Sequence, residues 1–164
     1  MKAIVYTSNT GFTKEYAEML KYRLSLPLFD LDEAKKNLEK GTEIIYMGWL
    51  FASSVKGYKK ASRRYKVKAV CGVGLADTGC LLEEVRKAIS LPESIPLFTI
   101  QGGMRLSKLK GINKSMIKML TKVFLSKKNP TDEDKRMVEL LTTEASYVKE
   151  ENLSAFLEWY ENAK

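Results

Sequence analysis

The sequence predicts an α/β fold in which a five-stranded parallel sheet carries helices on both faces, as a three-layer sandwich. Short apolar runs alternate along the chain with segments of helical periodicity. This alternation is typical of a parallel sheet whose strands are buried on both faces. The 164 residues fit one domain, 1–164, that is long enough to bury a full core.

The elements follow one another in a regular order. Strands are predicted at 3–6, 28–31, 43–47, 67–75 and 96–100, and the third is expected to end at Gly48. Helical patterns fill 12–25, 56–65, 79–90 and 153–163, with a short turn of helix near 32–37. A helical insertion of about 104–150 separates the fifth strand from the last helix, and Thr131 is expected to cap a helix there because acids follow it.

The turn after the first strand is rich in hydroxyl groups. Residues 7–13 read Thr-Ser-Asn-Thr-Gly-Phe-Thr, with four hydroxyls, one amide and one glycine. Such a turn directs backbone N–H groups to one point, where the helix macrodipole also favours negative charge. The same residue types are ordinary helix caps, but capping needs only one of them. A phosphate group fits this turn, whereas the glycine patterns of triphosphate and dinucleotide sites are missing.

This segment resembles the flavodoxin signature, in which an apolar strand with an aromatic end is followed by Ser/Thr-x-Thr-Gly-x-Thr. Here 4–6 read Ile-Val-Tyr and 8–13 read Ser-Asn-Thr-Gly-Phe-Thr. The resemblance implies a strand order of 2-1-3-4-5 and a bound flavin mononucleotide, FMN, whose phosphate the loop holds. The residues implied for the phosphate are Ser8, Asn9, Thr10, Gly11, Phe12 and Thr13.

Two more loops are candidates for the site, because ligands of such sheets bind at the carboxyl ends of the strands, where the strand order reverses. The loop after the third predicted strand holds Trp49 and Phe51, for which burial in the core is an equally good explanation. By the flavodoxin resemblance, this loop and the one after the fourth strand hold the flavin ring. The implied residues are Gly48, Trp49, Leu50, Phe51, Ala52, Gly74, Leu75, Ala76 and Asp77.

Composition limits the chemistry. The chain has no histidine and two cysteines, so neither a zinc site nor a disulfide scaffold is expected, and Cys71 and Cys80 are expected to be reduced thiols in or near the core. If the chain is an enzyme, a cofactor is expected to supply the chemistry, and no catalytic side chain is assigned.

No apolar run is long enough to span a membrane, so a cytoplasmic protein is expected. Peripheral contact with the inner face of the membrane would be an extension of this expectation.

The net charge of +8 is concentrated in one segment, because residues 104–130 carry eight basic side chains and no acid. Four lysines recur every four residues as one helix ridge, namely Lys110, Lys114, Lys118 and Lys122. The apolar residues Ile112, Met116, Met119, Leu120, Val123 and Phe124 are expected to form the opposite, packed face. Either the ridge is an ordinary solvated face, or it meets an anionic and partly apolar surface such as phospholipid headgroups, a carboxylated substrate or an acidic protein. Nucleic acid is not expected, since no aromatic residues are interleaved with the lysines.

Residues 102–105, Gly-Gly-Met-Arg, and the patterned segment 114–122 resemble the menaquinone-dependent protoporphyrinogen oxidase family and its flavodoxin-domain relatives. This resemblance implies an FMN-dependent oxidoreductase that acts on a tetrapyrrole and passes electrons to a quinone or a redox partner protein. The alternative is a flavodoxin that carries single electrons between redox proteins. Such carriers are typically acidic around the flavin, and the acid-free stretch 56–68 with seven basic residues argues against one. A third alternative is a binding module that has lost its flavin.

Overall fold

The computed structural model describes residues 1–163 and alternates strands with helices, as the sequence predicts. The elements up to the last strand of the main sheet are β1 (Ala3–Thr7), α1 (Phe12–Leu24), β2 (Leu28–Asp30), α2 (Leu31–Asn37), β3 (Glu43–Phe51), β4 (Ser54–Val55), α3 (Tyr58–Ser62), β5 (Lys66–Gly74), α4 (Leu82–Ile89) and β6 (Leu97–Gln101). They are followed by β7 (Gly103–Met104), α5 (Gly111–Leu125), α6 (Asp132–Thr142), β8 (Ala145–Ser146) and α7 (Ser154–Asn162), with short 3-10 helices at Leu106–Lys108 and Glu150–Leu153.

The main sheet is parallel in the order β2-β1-β3-β5-β6, which is the predicted order once the short strand β4 is set aside. Side chains of each strand alternate between two apolar layers, because successive residues of a strand point to opposite faces. Ile45 and Met47 pack with α1 and α7 on what we term the α1 face. Ile44 and Tyr46 pack with α2, α3 and α4 on the other face. The predicted three-layer α/β sandwich is confirmed.

The third strand is longer than predicted. β3 runs through Gly48 to Phe51, turns at Ala52 and Ser53, and pairs antiparallel with β4. Gly48 does not end the strand but makes room for the returning chain, since a Cβ there would lie 2.6 Å from the Lys56 carbonyl oxygen. The expectation that residues 48–51 form a loop was therefore wrong, and of the five residues 48–52 implied for the flavin only Ala52 lies in the turn.

The chain divides into two compact units. The sheet unit comprises residues 1–102 together with the segment from Val148, and the insertion unit comprises Gly103–Tyr147. The insertion unit contains α5, α6 and the antiparallel pair β7-β8. As predicted, Thr131 caps α6: its Oγ1 accepts a hydrogen bond from the Asp134 N–H at 3.1 Å, and the Asp134 carboxylate accepts one from the Thr131 N–H at 3.0 Å. The predicted helical insertion after the last strand of the sheet is confirmed.

Candidate functional site

The hydroxyl-rich loop lies at the carboxyl end of β1 and leads directly into α1. Gly11 is the residue before the helix, and its φ of 109° is a conformation that glycine adopts without steric cost. The Gly11 N–H donates to Ser8 Oγ at 3.2 Å, which closes the loop on itself. Glycine has no side chain that caps a helix, whereas α2 and α6 both begin with complete capping boxes. The first turn of α1 thus carries the positive end of a 13-residue helix dipole toward this loop.

The predicted phosphate residues differ in how they are placed. Ser8, Asn9 and Thr10 are half-buried at the edge of the sheet. Thr13 is 1% exposed, so its hydroxyl is enclosed. Phe12 is buried against the end of the sheet, where a Cβ on Gly102 would lie 3.1 Å from the Phe12 Cβ. The Phe12 side chain therefore anchors the start of α1 to the core, which leaves its backbone as the part that faces the loop.

Beneath the loop, two hydroxyl groups hold the backbone of Lys56. Thr7 Oγ1 donates to the Lys56 carbonyl oxygen at 2.8 Å, and the Tyr46 hydroxyl donates to the same oxygen at 2.7 Å. Burial raises the pKa of Tyr46 well above its ordinary value, so the hydroxyl keeps the proton that it donates to the Lys56 oxygen. A Cβ on the next residue, Gly57, would overlap the Tyr46 hydroxyl oxygen. These contacts fix Lys56 to the end of β1 and to the middle of β3.

The two predicted aromatic residues lie together. Trp49 and Phe51 continue the α1 face of β3 beyond Met47, two residues apart, and both are half-buried. Their ring centroids are 6.2 Å apart in a T-shaped arrangement. The Lys56 ammonium lies 5.9 Å from the Trp49 centroid and 5.3 Å from the Phe51 centroid. The rings of Trp49 and Phe51 and the Lys56 ammonium therefore lie on the α1 face of the sheet, the same face as the helix that follows the hydroxyl-rich loop.

Leu50 is oriented away from this pair, on the opposite face of β3. A Cβ on Gly72 would lie 2.9 Å from a Leu50 methyl carbon, and one on Gly74 would lie 3.0 Å from the other. The glycines of β5 thus accommodate Leu50 rather than a ligand. Gly48 is buried beneath β4 in the same layer. The structure brings Trp49 and Phe51 together but separates them from Gly48 and Leu50.

The loop after β5 is fastened to β6 by side chains that the sequence analysis did not single out. Gln101 Nε2 donates to the Leu75 carbonyl oxygen at 3.1 Å, and Thr99 Oγ1 donates to the Cys80 carbonyl oxygen at 2.6 Å. Backbone bonds from Gly102 to Gly74 and from Gly79 to Thr99 add to this. Leu75 and Ala76 are half-buried, and Asp77 is exposed. Thr99 and Gln101 are the two polar residues of the otherwise apolar strand β6, and this pattern was the sequence signal that could have indicated their contacts with the loop.

Backbone strain is concentrated at the same edge of the sheet. Five residues of the described chain other than glycine have positive φ. Ser25 and Ser90 follow the last turns of α1 and α4, where this conformation is a common helix ending. The other three, Ala52, Ser53 and Leu81, lie in the loops after β3 and β5. Such conformations cost on the order of 1–3 kcal/mol each and tend to occur at functional sites.

The lysine ridge is exposed, but the apolar residues of α5 do not all pack as expected. Leu120 and Phe124 are half-buried, whereas Ile112, Met119 and Val123 are exposed by 78%, 62% and 53%. The expectation of a single packed apolar face was wrong for these three. The neighbouring helix α6 covers only part of the α5 surface. Cys71 is buried as expected, whereas Cys80 is exposed, so the expectation of a position in or near the core was wrong for Cys80.

Comparison with family models, with curated proteins and with solved structures finds no match for this chain. Within residues 1–163, no helix is long and apolar enough to cross a membrane. The same part of the chain has no group of three or more cysteine, aspartate or glutamate side chains arranged to hold a metal ion. The function of the site is therefore inferred from its own geometry.

Proposed function

We propose that this chain binds FMN and works as a flavodoxin-like oxidoreductase. The observation that carries the proposal is the loop 8–11 between the buried strand β1 and the helix α1, which gathers a hydroxyl and amide cradle around a positive-φ glycine. A phosphate dianion in this cradle gains hydroxyl donors and the positive end of the helix dipole. The fit needs no lysine in the loop.

The paired rings of Trp49 and Phe51 support a flat aromatic ligand. They are half-buried, they share a face with the start of α1, and the Lys56 ammonium lies within 6 Å of both centroids. An aromatic ring system packs favourably on such rings. Bound FMN would supply the electron-transfer chemistry that the side chains of this site do not offer. Lys56 would favour negative charge on the bound group because its ammonium is cationic, and the bonds from Thr7 and Tyr46 hold its backbone in place.

The charge around the site favours an oxidoreductase over a carrier of single electrons. The acid-free stretch 56–68 begins at Lys56 beside the aromatic pair and continues into α3, where Lys59 and Lys60 are exposed. A positive rim attracts acidic partners or carboxylated substrates. We therefore propose a quinone, a tetrapyrrole carboxylate or an acidic redox protein as the second reactant.

The test of the proposal is a titration of the flavin-depleted chain with FMN, FAD and NAD, followed by tryptophan and flavin fluorescence. We expect FMN to bind best and to quench Trp49. The Trp49→Phe variant should lose most of the quenching, and the Trp159→Phe variant should retain it, because Trp159 packs in the aromatic cluster with Phe98 and Phe156. Quenching that persists in Trp49→Phe would remove the aromatic pair from the site.

The phosphate loop is tested separately in the double variant Thr10→Ala, Thr13→Val, which removes two hydroxyls and keeps the shape of the buried Thr13. Hydrogen bonds to a charged group contribute about 1.5–3 kcal/mol each, so FMN affinity should fall at least tenfold. The control is Thr142→Val in α6, which removes a hydroxyl from the insertion unit. Equal FMN affinity in the double variant and the control would refute the assignment of this loop.

A further inference from the structure

We infer that α5 docks onto an anionic phospholipid surface and lies along it, with its lysines at the headgroups and its exposed apolar side chains inserted between the lipids. This inference concerns the insertion unit and does not rest on the proposed FMN site. It rests on the partly covered surface of α5, on the arrangement of its exposed residues and on the local charge.

Three of the four exposed apolar residues of α5 form one stripe, and the fourth, Leu125, lies at the end of the helix on the side of the lysine ridge. Ile112, Met119 and Val123 are separated by seven and four residues, so at about 100° per residue they fall within roughly 40° of arc. Each of them is more than half exposed. Half-buried positions such as Leu120 and Phe124 lie on a different side of the helix. The side chains of the stripe therefore contribute little to the packing of the insertion unit.

The lysine ridge borders this stripe on the exposed half of the helix. Lys114, Lys118 and Lys122 are all exposed. At about 100° per residue, Lys122 lies roughly 80° from the middle of the stripe, Lys118 roughly 120° and Lys114 roughly 160°, so the ridge begins beside the stripe at Lys122 and slants away from it across the exposed half of the helix. Adjacent apolar and basic strips on one solvent-facing surface are the pattern of helices that lie in the plane of a membrane interface. From Ile112 to Val123 the stripe extends about 16 Å along the helix axis.

The charge of the surrounding segment fits an anionic surface. Residues 104–130 contain no acid, so the ridge has no acidic neighbour within its own segment. By contrast, the nearby Lys127 is neutralised by Asp134 of α6, whose carboxylate lies 2.6 Å from the Lys127 ammonium. Each lysine near an anionic membrane surface adds about fivefold to the binding constant, so the ridge as a group has a large effect.

Other occupants fit these observations less well. A two-fold dimer brings the same patch of both copies together, and this patch would set lysines against lysines with no acid to pair them. A nucleic acid would match the lysines but would leave the apolar stripe in contact with phosphates. Only a lipid surface provides negative charge and an apolar interior side by side.

The experiment is co-sedimentation of the full chain with phosphatidylcholine vesicles, with and without about one third phosphatidylserine. We expect binding to the anionic vesicles and little to the neutral ones. The triple variant Lys114→Glu, Lys118→Glu, Lys122→Glu should bind roughly a hundredfold more weakly. The matched control is Lys36→Glu, Lys40→Glu, Lys87→Glu, which changes the net charge equally at exposed positions of the sheet unit. Equal loss in both variants would overturn the inference, because net charge alone would then explain binding.

Insertion of the stripe is tested by Met119→Ser, Val123→Ser, which should weaken binding about tenfold or more. Its control is Tyr22→Ser, which removes an apolar side chain that is 78% exposed on α1 and should leave binding unchanged. Circular dichroism checks that each variant is folded. An unchanged affinity of the Met119 and Val123 variant would refute insertion. A wild-type chain that ignores anionic vesicles at low salt but dimerises in sedimentation experiments would assign the surface to a second copy instead.

Discussion

Gly57 is the residue at which the return from β4 meets the end of β1. Its φ is +83°, and a Cβ there would overlap the Tyr46 hydroxyl and lie 2.7 Å from the Thr7 methyl carbon. We predict that Gly57→Ala lowers the free energy of unfolding by roughly 2–4 kcal/mol, because backbone strain and overpacking add. Urea denaturation of the purified variant measures this loss.

Gly41 offers a matched control for this prediction. Its φ is +85°, almost the same as that of Gly57, but a Cβ there would meet nothing within 4 Å. Gly41→Ala should therefore show only the backbone cost, about 1 kcal/mol. If the two variants lose equal stability, the contact of Gly57 with Tyr46 and Thr7 does not constrain the fold as described.

At the scale of single elements, the first turn of α6 depends on an ionised carboxylate. Asp134 accepts hydrogen bonds from the Lys127 ammonium at 2.6 Å and from the Thr131 N–H at 3.0 Å, and these interactions lower the pKa of Asp134, with the Lys127 bond the largest cause. Because this pKa is lower in the folded chain than in the unfolded chain, the stabilisation is complete above the ordinary pKa of about 3.9. It is lost as the pH falls through the folded value.

We predict that α6 loses protection from hydrogen exchange on acidification below about pH 4, after correction for intrinsic exchange rates. Asp134→Asn should lower the protection at neutral pH and remove the acid-dependent step. Asp132→Asn is the control, since that exposed acid of the same turn contacts Lys135 at the surface and does not complete the cap. An acid-dependent step that survives in Asp134→Asn would assign it to another group.

The predictions that failed concern elements whose form depends on pairing or packing with another element. Apolar periodicity located β3 from Glu43, but its extension to Phe51 requires pairing with β4. The turn between them, Ala52-Ser53, lacks the glycine or asparagine that normally indicates a two-residue hairpin. In α5, periodicity identified the apolar residues but not which of them α6 covers, because that depends on tertiary packing rather than on spacing.

At the scale of the whole molecule, the alternation of strands and helices was sufficient to predict the sandwich, whereas its strand order was expected from the resemblance of residues 4–13 to the flavodoxin signature. The hydroxyl-rich loop was also predictable, because 8–13 are contiguous and follow a buried strand. Lys56 was not recognised as part of the site. Its place beside Trp49 and Phe51 depends on the β3–β4 hairpin and on the hydroxyls of Thr7 and Tyr46, which lie far from it in the sequence.

The sheet unit itself holds together the two points at which the chain leaves it and returns. The Tyr16 hydroxyl donates to the Gln101 carbonyl oxygen at 2.6 Å, and it accepts hydrogen bonds from the Lys149 N–H at 3.4 Å and from Asn152 Nδ2 at 2.7 Å. The residues just before and just after the insertion unit thus meet at one side chain. A linker of about three residues is long enough to join them, since an extended chain spans about 3.3–3.6 Å per residue.

We therefore predict that replacing residues 103–147 by a Gly-Ser-Gly linker leaves a chain that unfolds in one cooperative transition and binds FMN with the affinity of the full chain. The same chain should no longer sediment with anionic vesicles, because it lacks α5. Calorimetry, FMN titration and co-sedimentation test the three expectations separately. A shortened chain that also carries Tyr16→Phe should be less stable, because the hydroxyl that joins the two ends is lost. A shortened chain that fails to fold would contradict the independence of the sheet unit, and one that folds and still binds vesicles would assign the lipid contact to the sheet unit.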